Sequence, residues 1–193
     1  MSRKVHRVPV SLDTHGINHL PAEKIAIILR GADELIMRGG RSLLAKVLKG
    51  SREKKLIELS LDQSLAYGAL CTLSLKEILA RIDWLIINNY LAIEYDYRLP
   101  LLVYTPRGWE IERDTYAAEL QTKLDRLIAS ANPDLDLTWL NDSNHKVLIR
   151  LLDRIEASGK LNYIPALESW SRSVGKKFRR KILDVIERII KKQ

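Results

Sequence analysis

A mainly α-helical chain with one β-hairpin near its middle is what these 193 residues predict. Three observations carry that expectation. Apolar residues recur at the helical period through most of the chain. A capping box, Ser74-Leu75-Lys76-Glu77, marks one helix start outright, with the serine at the N-cap and the glutamate three residues on. Between residues 91 and 105 the pattern changes to alternation, twice, around a polar break.

The chain is long enough for one good core or two small domains. Hydrophobic residues make up 46% and charged residues 29%, the balance of a globular protein rather than a disordered one. No apolar run approaches the ~18–20 residues of a membrane span. The opening stretch is basic without an apolar segment, so no secretory signal is expected. A single cysteine, Cys71, leaves no internal disulfide framework and no cysteine-rich zinc site. The expected location is cytosolic.

Residues 1–20 read as a basic, irregular arm. His15 and His19 have a spacing that binds zinc on a helix, but Gly16 and Asn18 argue against a helix and no further ligand completes the set. No metal or cofactor is expected. Pro21 reads as the first residue of a helix whose stripe runs from Ile25 to Ile36, with Gly31 as a bend or interruption. Gly39-Gly40 ends it and opens a second helix, which buries Leu43, Leu44, Val47 and Leu48 and stops at Gly50. A short apolar piece, Leu56 to Leu59, follows, and Tyr67-Gly68-Ala69 reads as the end of another short helix. The capped helix buries Ile78, Leu79, Ile82, Leu85 and Ile86, presents Lys76, Arg81 and Trp84 elsewhere, and finishes near Asn88-Asn89. Strands over Leu91–Tyr95 and Leu101–Thr105 are expected to enclose a loop of about five residues. Thr105 to Trp109 breaks the second strand, and an amphipathic helix is expected from about Arg113 to a stop at Asn132-Pro133. Two further helices end the chain, one from Ser143 or Asn144 to Gly159 and one over Lys176–Lys191.

Charge is uneven. The net is +8 with pI near 9.6, which favours a polyanionic partner without identifying one. Residues 38–55 hold seven Lys/Arg against one Glu, a net of +6, and residues 172–193 hold nine basic against two acidic, a net of +7. Within the first cluster, the Lys49-Gly50-Ser51 turn offers a hydroxyl, a free backbone N–H and clustered cations, a plausible grip for phosphate.

Helices followed by a hairpin in under 100 residues is the order of a winged helix. Residues 22–112 resemble the RQC domain, the winged-helix module that follows the helicase core in RecQ-family DNA helicases. Four pieces carry the likeness in order: the VLKGS turn (Val47 to Ser51), the YGA element (Tyr67 to Ala69), the helix ending in NNYL, and the TPRGW exit. They are similar to the family's LRGS turn, YG element, helix before Gly-Leu or Gly-Tyr-Leu, and LT-x-x-G. No single piece is specific; their order and spacing are. Neither a GxxxxGK[ST] phosphate loop nor an acidic helicase motif is found, and the stretch Gly39-Gly40-Arg41-Ser42 lacks the lysine that such a loop needs. The chain looks like a stand-alone, RQC-minor-type module without its motor, and no ATP hydrolysis is expected.

The resemblance implies binding of duplex ends, forks or junctions, mainly through phosphate contacts and the wing. The charges agree: Lys76 and Arg81 are offset by Glu77 and Asp83, so the capped helix is expected to be a poor major-groove reader. Its carry-over assigns phosphate contacts to Lys49, Gly50, Ser51, Arg52 and Lys55, with Arg41 and Lys46 assisting by charge. It also assigns the wing tip, Tyr95, Tyr97 and Arg98, where an aromatic can stack on a terminal base pair. The basic face of the last helix, with Lys177, Arg180 and Lys181, is a second candidate DNA contact. The expected domains are the arm over 1–20, the winged helix over 21–112 and a helical region over 113–193. Expected partners are double-stranded or forked DNA and a helicase or other repair protein, with no membrane. Two other readings stay open: a winged-helix transcriptional regulator dimerising through its C-terminal helices, and a protein-interaction module.

Overall fold

The computed structural model describes residues 6–130 and 136–192. The chain divides into two compact units, Met1–Glu112 and Arg113–Gln193.

In the first unit, α1 (Ala22–Ala32) follows Pro21, which sits at the N-cap, one residue outside the helix rather than its first residue. The helix tightens into a 3-10 turn over Asp33–Leu35. Gly31 does not break it. A Cβ there would stand 3.0 Å from Leu48 Cδ2 and 3.1 Å from the Ala66 Cβ, so the glycine admits close packing. Helix α2 (Arg41–Lys49) starts at Gly40 and ends in a left-handed Gly50. The short α3 (Lys54–Glu58) follows, and α4 (Leu75–Ile87) begins at the expected capping box, both halves of which are formed. Leu44, Leu48, Leu56, Ile78, Ile82 and Leu85 close the core between these helices at full burial. Trp84, expected on the outside, is buried and stacks on Tyr90 with ring centroids 5.9 Å apart.

The hairpin is longer and tighter than its composition suggests. Strands β1 (Leu91–Asp96) and β2 (Leu99–Tyr104) pair antiparallel in the register Asp96↔Leu99, so the connection is only Tyr97-Arg98. Asp96, Leu99 and Pro100 are strand residues, not loop. A further strand-like contact ties the hairpin to the start of α2: the Met37 N–H donates to the Leu102 carbonyl at 2.9 Å, and the Leu102 N–H donates to the Gly39 carbonyl at 2.9 Å. Helix α5 (Pro106–Ala129) starts seven residues before the expected Arg113. Proline at the first helical position sacrifices no hydrogen bond. The Thr105 hydroxyl accepts from the Gly108 N–H at 3.1 Å, as an N-cap does.

The second unit continues α5 and adds α6 (His145–Ser158), α7 (Ile164–Ser173) and α8 (Lys176–Lys191). Of the expected starts at Ser143 or Asn144, Asn144 is the observed N-cap of α6, and the expected stop at Gly159 is its C-cap; α7, between Gly159 and Gly175, was not expected. The Asn132-Pro133 stop lies outside the described residues. Leu151, Ile155, Tyr163, Trp170 and Ile182 form a separate buried core. Among the described residues no helix is long and apolar enough to cross a membrane. The fold is a winged helix followed by a helical region, as the sequence predicts.

Candidate nucleic-acid interface

The basic turn after α2 is held by backbone bonds that the helix end itself demands. The Gly50 N–H donates to the Val47 carbonyl at 2.9 Å, and the Ser51 N–H donates to the Lys46 carbonyl at 3.0 Å. This pair is a Schellman cap. Both N–H groups are therefore consumed, and the expectation of a free backbone donor at Ser51 is corrected: only its hydroxyl remains. Carbonyls at the end of α2 also accept from the YGA element and the residue after it. Gly68 donates to Val47 at 2.9 Å and Leu70 donates to Leu48 at 2.8 Å. The element is a run of turns, not a helix end. Both its glycine and Gly50 have positive φ, and a Cβ on Gly50 would meet the Gly68 Cα at 3.1 Å. The Tyr67 hydroxyl donates to the Ser51 carbonyl at 2.9 Å. Two of the four sequence pieces are thus one packed unit.

The cations of the basic run separate by what they touch. Lys49 Nζ donates to the Cys71 carbonyl at 2.6 Å and the Leu73 carbonyl at 2.9 Å, fastening the loop that precedes α4. Arg41 forms an ion pair at 2.5 Å with Asp83, whose side chain is 4% exposed and also accepts from the Asp13 N–H at 2.9 Å. Asp83 therefore offsets Arg41, not Arg81, which instead donates to the Glu77 carbonyl at 2.7 Å. Lys46 pairs with Glu53 at 2.7 Å. Lys54 pairs with Glu58 at 3.4 Å, and the exposed Arg38 acts by its charge on Glu34, whereas Arg52 and Lys55 are exposed without an ion-pair partner among the described residues. Arg38 and Lys55 border a groove of about 460 Å³ whose apolar lining includes Leu43, Leu59 and Leu99.

At the wing tip the three candidates also part company. The Tyr95 hydroxyl donates to the Val8 carbonyl at 2.9 Å, and Arg7 lies over the Tyr95 ring at 4.9 Å. Arg98 Nε donates to the His6 carbonyl at 3.0 Å, while the Arg98 carbonyl accepts from the Val8 N–H at 3.1 Å. Tyr95 and Arg98 thus hold the N-terminal arm against the hairpin. Tyr97 is left projecting, 72% exposed, with a left-handed φ of 52°. The arm continues past α4: His15 and Ile17 border a cavity with Lys76, Glu77 and Arg81. Sequence reasoning missed this strap because an irregular arm carries no periodic signal.

The TPRGW exit closes the base of the wing. The Thr105 hydroxyl donates to the carbonyls of Asn89 (2.6 Å) and Tyr90 (3.0 Å), and Arg107 lies over the Tyr90 ring at 4.0 Å. A Cβ on Gly108 would stand 1.9 Å from the Tyr90 oxygen, so only glycine fits. In the second unit Lys177, Arg180 and Lys181 are exposed on α8. No group of side chains among the described residues could hold a metal ion.

The family comparison agrees with this geometry. The family model described as the RQC domain matches residues 21–126. This is more than half of the chain, which therefore belongs to the RQC-domain family. The match begins beside Pro21 and runs on into α5, further than residue 112. The RQC domain is the DNA-binding winged-helix module of RecQ helicases and is itself non-catalytic, which supports DNA as a partner of this chain. No match is found among curated proteins or among solved structures.

Proposed function

We propose that this chain is a non-catalytic DNA-binding protein that recognises duplex ends, forks or junctions by shape and phosphate rather than by base sequence. Arg52 and Lys55, aided by the Ser51 hydroxyl, take the backbone of the duplex. Tyr97 stacks on the terminal base pair. Gly50 and Lys49 serve the site by shaping the turn, Arg41 by fixing α2 to α4, and Tyr95 and Arg98 by seating the arm beside the wing. The work suits DNA repair, replication or recombination beside a helicase, in the cytoplasm at the nucleoid.

The observation that carries this reading is the division of the basic run. Arg41, Lys46, Lys49 and Lys54 have partners inside the protein and the charge of the exposed Arg38 acts on Glu34, whereas Arg52 and Lys55 point to solvent beside a doubly capped turn. Phosphate contacts of this kind position a protein without reading bases. The capped helix fits the same view, because the arm lies against its Lys76–Arg81 face.

The test is competition binding of labelled forked DNA against unlabelled fork, blunt duplex and random-sequence duplex. Forks and ends outcompeting internal duplex, regardless of sequence, is the expected result. Tight binding to one palindrome by a stable dimer would favour the transcriptional-regulator reading and contradict this one. The protein-interaction reading draws on the groove of about 460 Å³, where Leu43, Leu59 and Leu99 lie beside Arg38 and Lys55. It is favoured if a protein partner binds while no DNA form does.

A further inference from the structure

The second unit carries a cation cluster of its own, wholly beyond the family match. Residues 172–183 contain six basic residues and no acid. Helix α8 divides into two halves by what its cations touch. In the C-terminal half, Arg188 pairs with Glu156 at 3.0 Å, Lys192 reaches the same carboxylate at 3.7 Å, and Lys191 pairs with Glu187 at 2.5 Å. In the N-terminal half, Arg179 Nε donates to the Ser171 carbonyl at 2.7 Å. Lys176, Lys177, Arg180 and Lys181 are exposed and have no acidic partner among the described residues. They share the outward face of the helix, because Phe178, Ile182, Val185, Ile186 and Ile189 are turned into the core.

That half is electrostatically unfavourable by itself. The first turn of α8 holds no acidic residue, so Lys176 and Lys177 face the positive end of the helix dipole. The start of α6 adds to the excess. His145 meets the edge of Phe178 at 5.1 Å between ring centroids, and the same turn carries an exposed Lys146 and no acid. Where the rest of α8 is neutralised internally, this end lacks its counter-charge.

The geometry points to a second phosphate-backbone site on the outward face of the first two turns of α8, a site for duplex DNA; the choice of ligand rests on the DNA-binding reading above. Cations one helical turn apart, ~5.4 Å along the axis, reach neighbouring phosphates of one strand. An anionic membrane fits less well, because the apolar side of α8 is spent on the core and nothing is left to insert.

The test uses the full chain and two variants, Lys176→Glu/Lys177→Glu and Arg180→Gln/Lys181→Gln, alongside Arg52→Ala/Lys55→Ala. Duplex binding is followed by anisotropy across a salt series, and the free proteins are melted. Each α8 variant is expected to weaken binding several-fold and to lower the salt slope by about 2, at ~0.9 per phosphate contact. Lys176→Glu/Lys177→Glu is also expected to raise the Tm of the free protein, because it places acids at the helix start. Unchanged affinity and slope in both α8 variants would overturn the inference. So would loss of binding to phosphatidylserine vesicles with DNA affinity intact. If only Arg52→Ala/Lys55→Ala weakens binding, this inference fails and the reading of the first unit stands; if only the α8 variants do, the reverse holds.

Discussion

The ammonium of Lys49 donates to the carbonyls of Cys71 and Leu73, whereas Lys55, six residues on in the same basic run, faces solvent. Lys49→Ala is therefore expected to cost about 1.5–3 kcal/mol of stability in urea unfolding, the range for hydrogen bonds to a charged group. Its effect on DNA affinity should be smaller than that of Lys55→Ala. Arg41→Ala strands Asp83, which is almost fully buried. A broken buried pair costs about 3–5 kcal/mol, and Arg41 is a quarter exposed, so the expected loss is at the low end, about 3 kcal/mol. Tyr97→Gly relieves a left-handed tyrosine and so should not lower stability, yet it removes the stacking ring, worth ~1–3 kcal/mol per base. Fork preference measured against internal duplex reads that loss. The cations and the aromatic were legible as residue types. Their partners were not, because Asp83 lies 42 residues from Arg41 and the arm lies 87 residues from Tyr95; local spacing holds no record of such contacts.

Elements were legible where local chemistry decides them. The Ser74 capping box, the Asn144 and Gly159 caps and the apolar stripe of α8 all stand where their patterns put them. They misled where one residue type serves two purposes. Pro106 and Gly108 read as a break between the second strand and a later helix, but proline suits the first helical position, and Gly108 is small because the Tyr90 carbonyl crosses there. Gly108→Ala is expected to cost more than about 3 kcal/mol, since overpacking here meets backbone rather than a yielding side chain; thermal melting reads it directly. Pro100 likewise read as loop although it pairs with Tyr95, and the real turn is the pair Tyr97-Arg98. At α7 the short helix between two glycines offered too few turns for a clear stripe. The VLKGS and YGA pieces belong together in this chain for a physical reason, since one donates hydrogen bonds to the other's carbonyls.

Across the whole molecule, two buried phenols tie stability to alkaline pH. Burial, with Glu112 and Asp33 nearby, pushes the Tyr104 hydroxyl far above its ordinary value of 10.0, and it donates to the Leu29 carbonyl at 2.8 Å. Burial also raises Tyr163, whose hydroxyl donates to Asp125. A raised folded pKa gives stability that is fully present below the unfolded value and is lost as pH rises above about 10. The Tm is thus expected to fall above pH 10, and less steeply in Tyr104→Phe. Carboxylates act in the opposite direction: Glu77 is held below its ordinary range by the Ser74 backbone and hydroxyl, so its contribution is lost on acidification. The two basic patches fall on different units, one inside the family match and one wholly outside it. On the proposed reading, the duplex is gripped by Arg52 and Lys55 while Lys49 only shapes the turn. Fluorescence anisotropy with forked DNA across a salt series, comparing wild type, Arg52→Ala/Lys55→Ala and Lys49→Ala, tests it most directly. The double variant is expected to lose about tenfold in affinity and about 2 in salt slope, with Lys49→Ala keeping the wild-type slope. A double variant that binds as wild type does, or a slope lost in Lys49→Ala instead, would contradict it.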